Sequence, residues 1–322
     1  MHNILITSAG QRVSLVRAFQ KELKQRYPGA MVFTTDVNPE LSPACNVSDK
    51  YFKVKSIAHP DYIQQILQLC LEYQIGMIVP TLDIELLKFA ESRELFKNNG
   101  IQVVVPGPEF VKICRDKRLI ADFFKERNIS VPELIDKNNP VFPLFIKPYD
   151  GSLSSDTFLI RSKEELTDYH YSNQKLLFME YIDKDFNDEY TVDMYYGRDN
   201  KIKCIVPRKR IKVRSGEINK GLTCKNEIVQ FLKEKLDHID TAIGCLTLQL
   251  FLNRETGKMT GIEINPRFGG GFPLSYLAGG NYPGWLIDEY FINKEITYTD
   301  KWEDALLMLR YDDEILVHGY KA

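Results

Sequence analysis

The chain has 322 residues, 44% of them hydrophobic and 27% charged, and 42 Lys plus Arg stand against 44 Asp plus Glu for a formal charge of −2. That length supports two or three domains, and that balance gives no support to a protein held on nucleic acid by bulk electrostatics. The six cysteines and five histidines are scattered with no Cys-x-x-Cys pair, which argues against a zinc site or disulfide framework and fits a reducing cytoplasm. Gln11-Arg12 interrupts any apolar signal-peptide core, and no apolar run approaches the ~20 residues needed to span a bilayer.

The first segment alternates strands with helices. Asn3 to Thr7 is an apolar strand, Ser8-Ala9-Gly10 a tight turn, and Val13 to Gln25 an amphipathic helix. A strand from Met31 ends at Asp36, and Tyr51 to Val54 is extended. Asp61 to Tyr73 reads as a helix, Met77 to Val79 as a strand, and Thr81 to Glu85 opens a further helix before Val103-Val104-Val105. This alternation predicts a parallel, Rossmann-like sheet over residues 1–110. A dinucleotide site does not follow, because Ser8-Ala9-Gly10-Gln11-Arg12 supplies one glycine where the fingerprint needs three. Arg12, Asp36, Asp83 and Glu85 stand at strand ends, which line the cleft of open α/β sheets, and are candidates to contact a small substrate. For each, the alternative is a helix N-terminal acid or a solvated charge.

From Pro108 the pattern changes. Phe110 to Lys125 reads as one helix carrying Arg115-Asp116-Lys117-Arg118, and strands follow at 143–148, 157–160, 176–182 and 189–196. A hairpin at Gly197 to Asn200 leads into Lys201 to Lys212, and Leu306 to Tyr311 reads as a final strand. Short returns predict an antiparallel sheet. Lys147, fixed before Pro148, precedes a small-residue loop, Gly151-Ser152-Leu153-Ser154-Ser155-Asp156, which can turn N–H groups and hydroxyls towards phosphates. Lys117 can add a second cation. The apolar run ending in Glu180-Tyr181-Ile182 offers a slot suited to an adenine ring, and Glu189 can accept from ribose hydroxyls. Each of these signals alone is ordinary for a strand or a loop.

Residues 259–271 draw the pattern together. As a strand, Met259 to Ile264 puts Ile262 and Ile264 on one face and Glu263 and Asn265 on the other. Pro266 ends the ladder, Arg267 follows on a turn, and Gly269-Gly270-Gly271 let the backbone run close to whatever Arg267 contacts. Leu246 to Leu252 is a partner strand joined by the hairpin loop Asn253 to Lys258, a register that sets Gln249 opposite Glu263. Three oxygen-bearing side chains and a guanidinium at one strand end suit Mg²⁺ and a phosphate oxygen. The alternative is a polar sheet face in water. Arg208, Lys209, Arg210 and Arg214 form a basic stretch, from which one or two side chains can reach an acyl phosphate or an acidic substrate; a solvated strand face fits equally well.

In this order, Ile146-Lys147-Pro148 with its loop, Met179-Glu180-Tyr181-Ile182, Glu189-Tyr190-Thr191-Val192-Asp193, Gln249 and Glu263-Ile264-Asn265-Pro266-Arg267 resemble the ATP-grasp superfamily. Within it, the chain is most similar to proteins like the large subunit of carbamoyl phosphate synthase. The resemblance implies an α/β plus α+β chain: a Rossmann-like pre-ATP-grasp domain at 1–110, then an ATP-grasp domain at 111–322 with a small lid subdomain spanning 125–185. It implies ATP held by Lys117, Lys147, Ser152, Ser154, Glu180, Tyr181, Ile182, Glu189 and Gln249. It also implies one or two Mg²⁺ ions, replaceable by Mn²⁺, on Gln249, Glu263 and Asn265, with Arg267, Lys147 and Arg210 in catalytic roles. The implied reaction activates a small carboxylate as an acyl phosphate and joins it to an amine in the cytoplasm, without nucleic acid or membrane and with room for a homodimer. Two rival classes are a phosphotransferase on the same scaffold and a nucleotide-binding protein without turnover. The second is favoured by Leu153 and Asp156, which stand where the family's loop commonly has glycines. An Asp156 carboxylate would repel a polyphosphate unless it points away or meets Mg²⁺.

Overall fold

The N-terminal β/α alternation folds into a parallel sheet in a computed structural model that describes residues 1–151, 156–214 and 216–320. Its strands are β1 (Asn3–Thr7), β2 (Val32–Asp36), β3 (Lys50–Lys53), β4 (Ile75–Pro80) and β5 (Gln102–Val103), in the order β3-β2-β1-β4-β5. Both faces are covered, so the central strands are apolar throughout: Ile4 and Ile6 enter one core and Leu5 the other. Helix Val13–Arg26 packs Val16 and Phe19 on the first face, and helices Tyr62–Glu72 and Asp83–Glu91 pack Ile66 and Phe89 on the second.

Two strand-end acids turn out to be structural. Glu85 is fully buried and accepts from the Thr7, Ser8 and Tyr62 hydroxyls and from the Thr81 and Leu82 amides. Burial pushes its carboxyl above the usual range, against the pull of those donors. Asp36 accepts from the Gly10 and Asn38 amides and so pins the turn after β1. Neither lines the cavity described below.

The helix expected from Phe110 to Lys125 is broken in two, Pro108–Arg115 and Lys117–Glu126. Asp116 is extended between them, and its side chain accepts from the Arg118 amide as an N-cap. The break starts a new helix at Lys117, whose amide bonds the Tyr149 carbonyl.

Two antiparallel sheets follow. β6 (Leu144–Pro148), β7 (Phe158–Ile160) and β8 (Leu176–Glu180) form a small sheet, β7-β6-β8, around its own core of Leu144, Ile146, Ile160, Leu176 and Phe178. The larger sheet contains β9 (Asn187–Tyr196), β10 (Ile202–Arg214), β11 (Glu217–Thr223), β12 (Gly244–Asn253), β13 (Met259–Asn265) and β14 (Leu307–Leu309), in the order β13-β12-β9-β10-β11-β14. Val192, Met194, Leu246, Leu248 and Ile264 line its apolar face, which is closed by helices Lys117–Glu126 and Glu227–Leu236. Phe268, Phe272, Tyr282 and Leu286 join Ile4, Ile6 and Phe19 in one core, so the parallel sheet and the large sheet pack against each other. The six cysteines are free thiols, and among the described residues no helix is long and apolar enough to cross a membrane.

Candidate active site

The polar face of the large sheet is built by strand alternation. One cross-strand row runs Arg208, Thr191, Gln249 and Glu263 across β10, β9, β12 and β13, and the next brings together Asp193, Thr247 and Asn265. Gln249 lies directly opposite Glu263, the register expected from the hairpin. One detail differs: the pairing jumps from Gln249–Glu263 to Leu250–Gly261, which makes Ile262 the extra residue of a bulge. Ile262 therefore faces the cavity instead of joining Ile264 in the core.

This face is the floor of a cavity of about 520 Å³, a volume typical of a small-molecule site. Lys117, Lys147, Glu180, Tyr181, Ile182 and Glu189 all line it. So do Arg210, Gln249, Glu263, Asn265 and Arg267. The structure thus brings together the described residues expected to hold nucleotide or metal or to act in catalysis, while Asp36, Glu85, Lys209 and Arg214 lie outside the cavity lining; Ser152, Ser154 and Leu153 lie outside the described residues.

Around Glu263 the donor set is one that would suit a hard cation. The Asn265 Nδ2 donates to Glu263 Oε1 at 2.9 Å, so the asparagine Oδ1 is not spent on that bond. One carboxylate and two amide oxygens are too few to cage Mg²⁺, but they match the partial protein shell that Mg²⁺ takes when phosphate oxygens and water complete it. Lys147 is 8% exposed, its ammonium makes no hydrogen bond or ion pair to a described residue, and burial pushes that ammonium down to about 8. Glu263 works against that shift and Lys117 adds to it. Burial lowers Lys117 as well, with Glu263 again opposing; its Nζ donates to the Gly151 carbonyl at 2.7 Å, at the start of the expected phosphate loop. Two desolvated ammonium groups beside one carboxylate call for an anion, and the residues fit a Mg²⁺-polyphosphate.

The arginines divide by strand face. Arg267 closes on Asp83 with Nε at 3.0 Å and Nη2 at 2.7 Å, a bidentate tie between the large sheet and the parallel sheet. Burial opposes the Arg267 charge, but Asp83 outweighs it and holds the guanidinium above its ordinary value. Arg208, 1% exposed, pairs through Nε and Nη2 with Asp193, which also accepts from Ser275 and Thr247. Arg210 reaches Glu189 at 2.9 Å and donates to Thr191 and Gly216. Lys209 turns the other way to Asp188, and Arg214 pairs with Asp312 in solvent. The other Glu189 oxygen accepts from Lys184 at 3.0 Å, so both its oxygens are engaged. Asp156 accepts from the Tyr169 hydroxyl at 2.6 Å, so its carboxylate is tied to helix Asp168–Ser172.

Sequence reasoning passed over Glu217. It meets Arg12 at 3.5 Å and Arg310 at 3.2 Å, and it lies so close to Gly270 that a Cβ there would overlap its carboxylate. Beside it, a Cβ on Gly271 would sit 2.2 Å from Arg208 Nη1. The glycine run therefore admits Glu217 and Arg208 as well as flanking Arg267, and no local pattern announces a partner so distant in sequence.

Residues 4–104 match the family described as the PylC-like N-terminal domain, and residues 172–310 match the family described as ATP-grasp in the biosynthetic pathway with Ter operon. No curated protein matches the chain. Among solved structures, the biotin carboxylase domain of Hydrogenobacter thermophilus 2-oxoglutarate carboxylase, a dimer bound to MgADP, ADP and bicarbonate, superposes with a TM-score of 0.71 at 14% identity, over 94% of this chain and 73% of that one. N5-carboxyaminoimidazole synthetase from Staphylococcus aureus with ADP gives 0.68 at 15% identity, over 89% and 76%. The Thermotoga maritima N5-carboxyaminoimidazole ribonucleotide synthetase gives 0.62 at 18% identity, over 95% and 79%.

Proposed function

We propose that the chain, which shares the fold of ATP-grasp enzymes and matches an ATP-grasp family model over residues 172–310, is a Mg-ATP-dependent ligase that joins a small carboxylate to an amine. The observation that carries this is the row of Gln249 and Glu263, with Asn265 beside them, in one cavity with the buried Lys147 and the half-buried Lys117. When bound, Mg-ATP supplies the phosphoryl group that converts a substrate carboxylate into an acyl phosphate. Glu263, Asn265 and Gln249 would hold Mg²⁺. Lys147 and Lys117 would neutralise the polyphosphate, and the Glu180-Tyr181-Ile182 segment would take the base. Arg267, fixed by Asp83, would face charge developing on the transferred group without having to reorganise. Arg210 is bound to Glu189, Thr191 and Gly216 and reads as a positioning residue for Glu189. The small sheet β6–β8, with its separate core, would serve as the lid over residues 125–185 and keep water from the activated acid. The tie of Asp156 to Tyr169 supports turnover over a degenerate nucleotide binder, since it takes the carboxylate towards an outer helix.

The test is ADP release with a panel of small carboxylates and amines, combined with identification of the product. ADP formed together with free phosphate and an amide is expected. A phosphorylated acceptor as the end product would identify a phosphotransferase instead.

Lys147 gives the site a pH signature. Its ammonium, pushed down to about 8 by burial, is charged below that value, and a bound polyphosphate would favour the charged form. Nucleotide affinity should be flat below about pH 8 and weaken by up to about tenfold per unit above it, with proton uptake on binding. Calorimetric titrations in buffers of different ionisation enthalpy report both effects. Lys147→Met should bind more weakly and lose the slope.

A further inference from the structure

Arg12 lines the cavity from the parallel-sheet side, on the turn after β1. Its Nη1 is buried and makes no hydrogen bond to a described residue; Glu217 Oε1 lies 3.5 Å away, and the other Glu217 oxygen is taken by Arg310. Arg267 is closed on Asp83, whereas Arg12 has no such bidentate partner among the described residues. Arg208 leaves a second buried Nη1 without a described partner in the same cavity wall. Around Arg12 the charges are three guanidinium groups (Arg12, Arg267, Arg310) against two carboxylates (Asp83, Glu217), an excess of one positive charge. Burial, and after it the neighbouring Arg267, lower the Arg12 guanidinium below its ordinary value, while Glu217 and Asp83 oppose. A largely buried guanidinium on a cavity wall, with one buried nitrogen left without a hydrogen bond to a described residue, suits an anion.

The anion is not well matched to the carboxylate under activation. That group gives up its carboxylate charge when its oxygen bonds to phosphorus, so a guanidinium fixed on it would lose its partner part-way through the reaction. A charge that persists throughout is a better handle. Resting on the ligase reading above, we propose that Arg12 is a specificity-determining residue that receives a spectator anionic group, one carried by a substrate in addition to the reacting carboxylate and amine.

The group could sit on the acid or on the amine, and one experiment separates the two. Thermal unfolding of the full chain with Mg-ADP is followed with succinate against butyrate, and with alanine against ethylamine, in the wild type and in Arg12→Gln. At least one pair should show about tenfold tighter binding of the probe with the extra carboxylate, in line with a charge-assisted hydrogen bond. Preference in the first pair places the group on the acid; preference in the second alone places it on the amine. Arg12→Gln should erase the preference and change Mg-ADP affinity less than about twofold. Where a preferred pair is turned over, the variant should raise KM about tenfold and leave kcat nearly unchanged, the mark of uniform binding. If Arg12→Gln does not fold, Arg12→Lys takes its place and should lose most of the preference.

Equal binding within both pairs, or a preference that survives the substitution, overturns the proposal. Absence of Mg-ADP binding in the wild type would instead remove the ligase reading, while a charge preference that depends on Arg12 would still stand.

Discussion

Replacing Glu263 by alanine should lower Mg-ATP-dependent ADP release by about 10³-fold or more, while the far-ultraviolet spectrum and unfolding midpoint stay close to wild type. Glu263 is the carboxylate of the Gln249, Glu263 and Asn265 set, and its hydrogen bond is to Asn265 on the same strand. Its loss therefore breaks no tie between sheets. It also favours the charged forms of Lys147 and Lys117, so its removal weakens the two cations expected to face the polyphosphate. Glu263→Gln keeps the size and an oxygen for Asn265 but loses the charge, and should retain the fold with most of the activity gone. Steady-state ADP release with circular dichroism decides the matter. An alanine variant that turned over normally would remove Glu263 from any metal site.

The second large effect belongs to Arg267. Arg267→Ala should reduce turnover by about 10²-fold or more and change Mg-ATP affinity by less than about threefold, because a fixed guanidinium acts where charge develops and not on the bound nucleotide at large. The structure adds a cost in stability. Asp83 is left without its bidentate partner in a largely buried position, and breaking such a pair costs roughly 3 kcal/mol. Asp83→Asn separates the two effects: it keeps the shape and weakens the hold on Arg267, so it should share the stability loss and lose only about tenfold in turnover. Equal losses of turnover and nucleotide affinity in Arg267→Ala would reduce Arg267 to a tie between sheets.

How much of this was legible follows from the range of each interaction. The parallel sheet shows in the run of apolar strands between amphipathic helices, because both faces must be covered. The Gln249–Glu263 pairing shows because a hairpin loop fixes register and the side-chain period of two fixes the face. The bulge at Ile262 does not, since one extra residue leaves the alternation looking intact. Asp116 reads as one more charged helical residue, and it is the N-cap geometry that divides the helix. Glu85 stands in the first turn of its helix as a dipole-favoured acid would, yet donors from Ser8, Thr7 and Tyr62 enclose it. The Arg267–Asp83 tie and the Arg12–Glu217 contact join residues about two hundred positions apart and leave no local trace. The fate of Asp156 likewise depends on Tyr169, a side chain on another element.

The most direct test of the metal site is a crystal structure with Mn²⁺ and ADP, with the ion located by its anomalous scattering. The ion is expected within coordinating distance of a Glu263 oxygen, with Asn265 and Gln249 beside it and the diphosphate towards Lys147. Manganese bound away from Glu263, or ADP lodged outside this cavity, would contradict it.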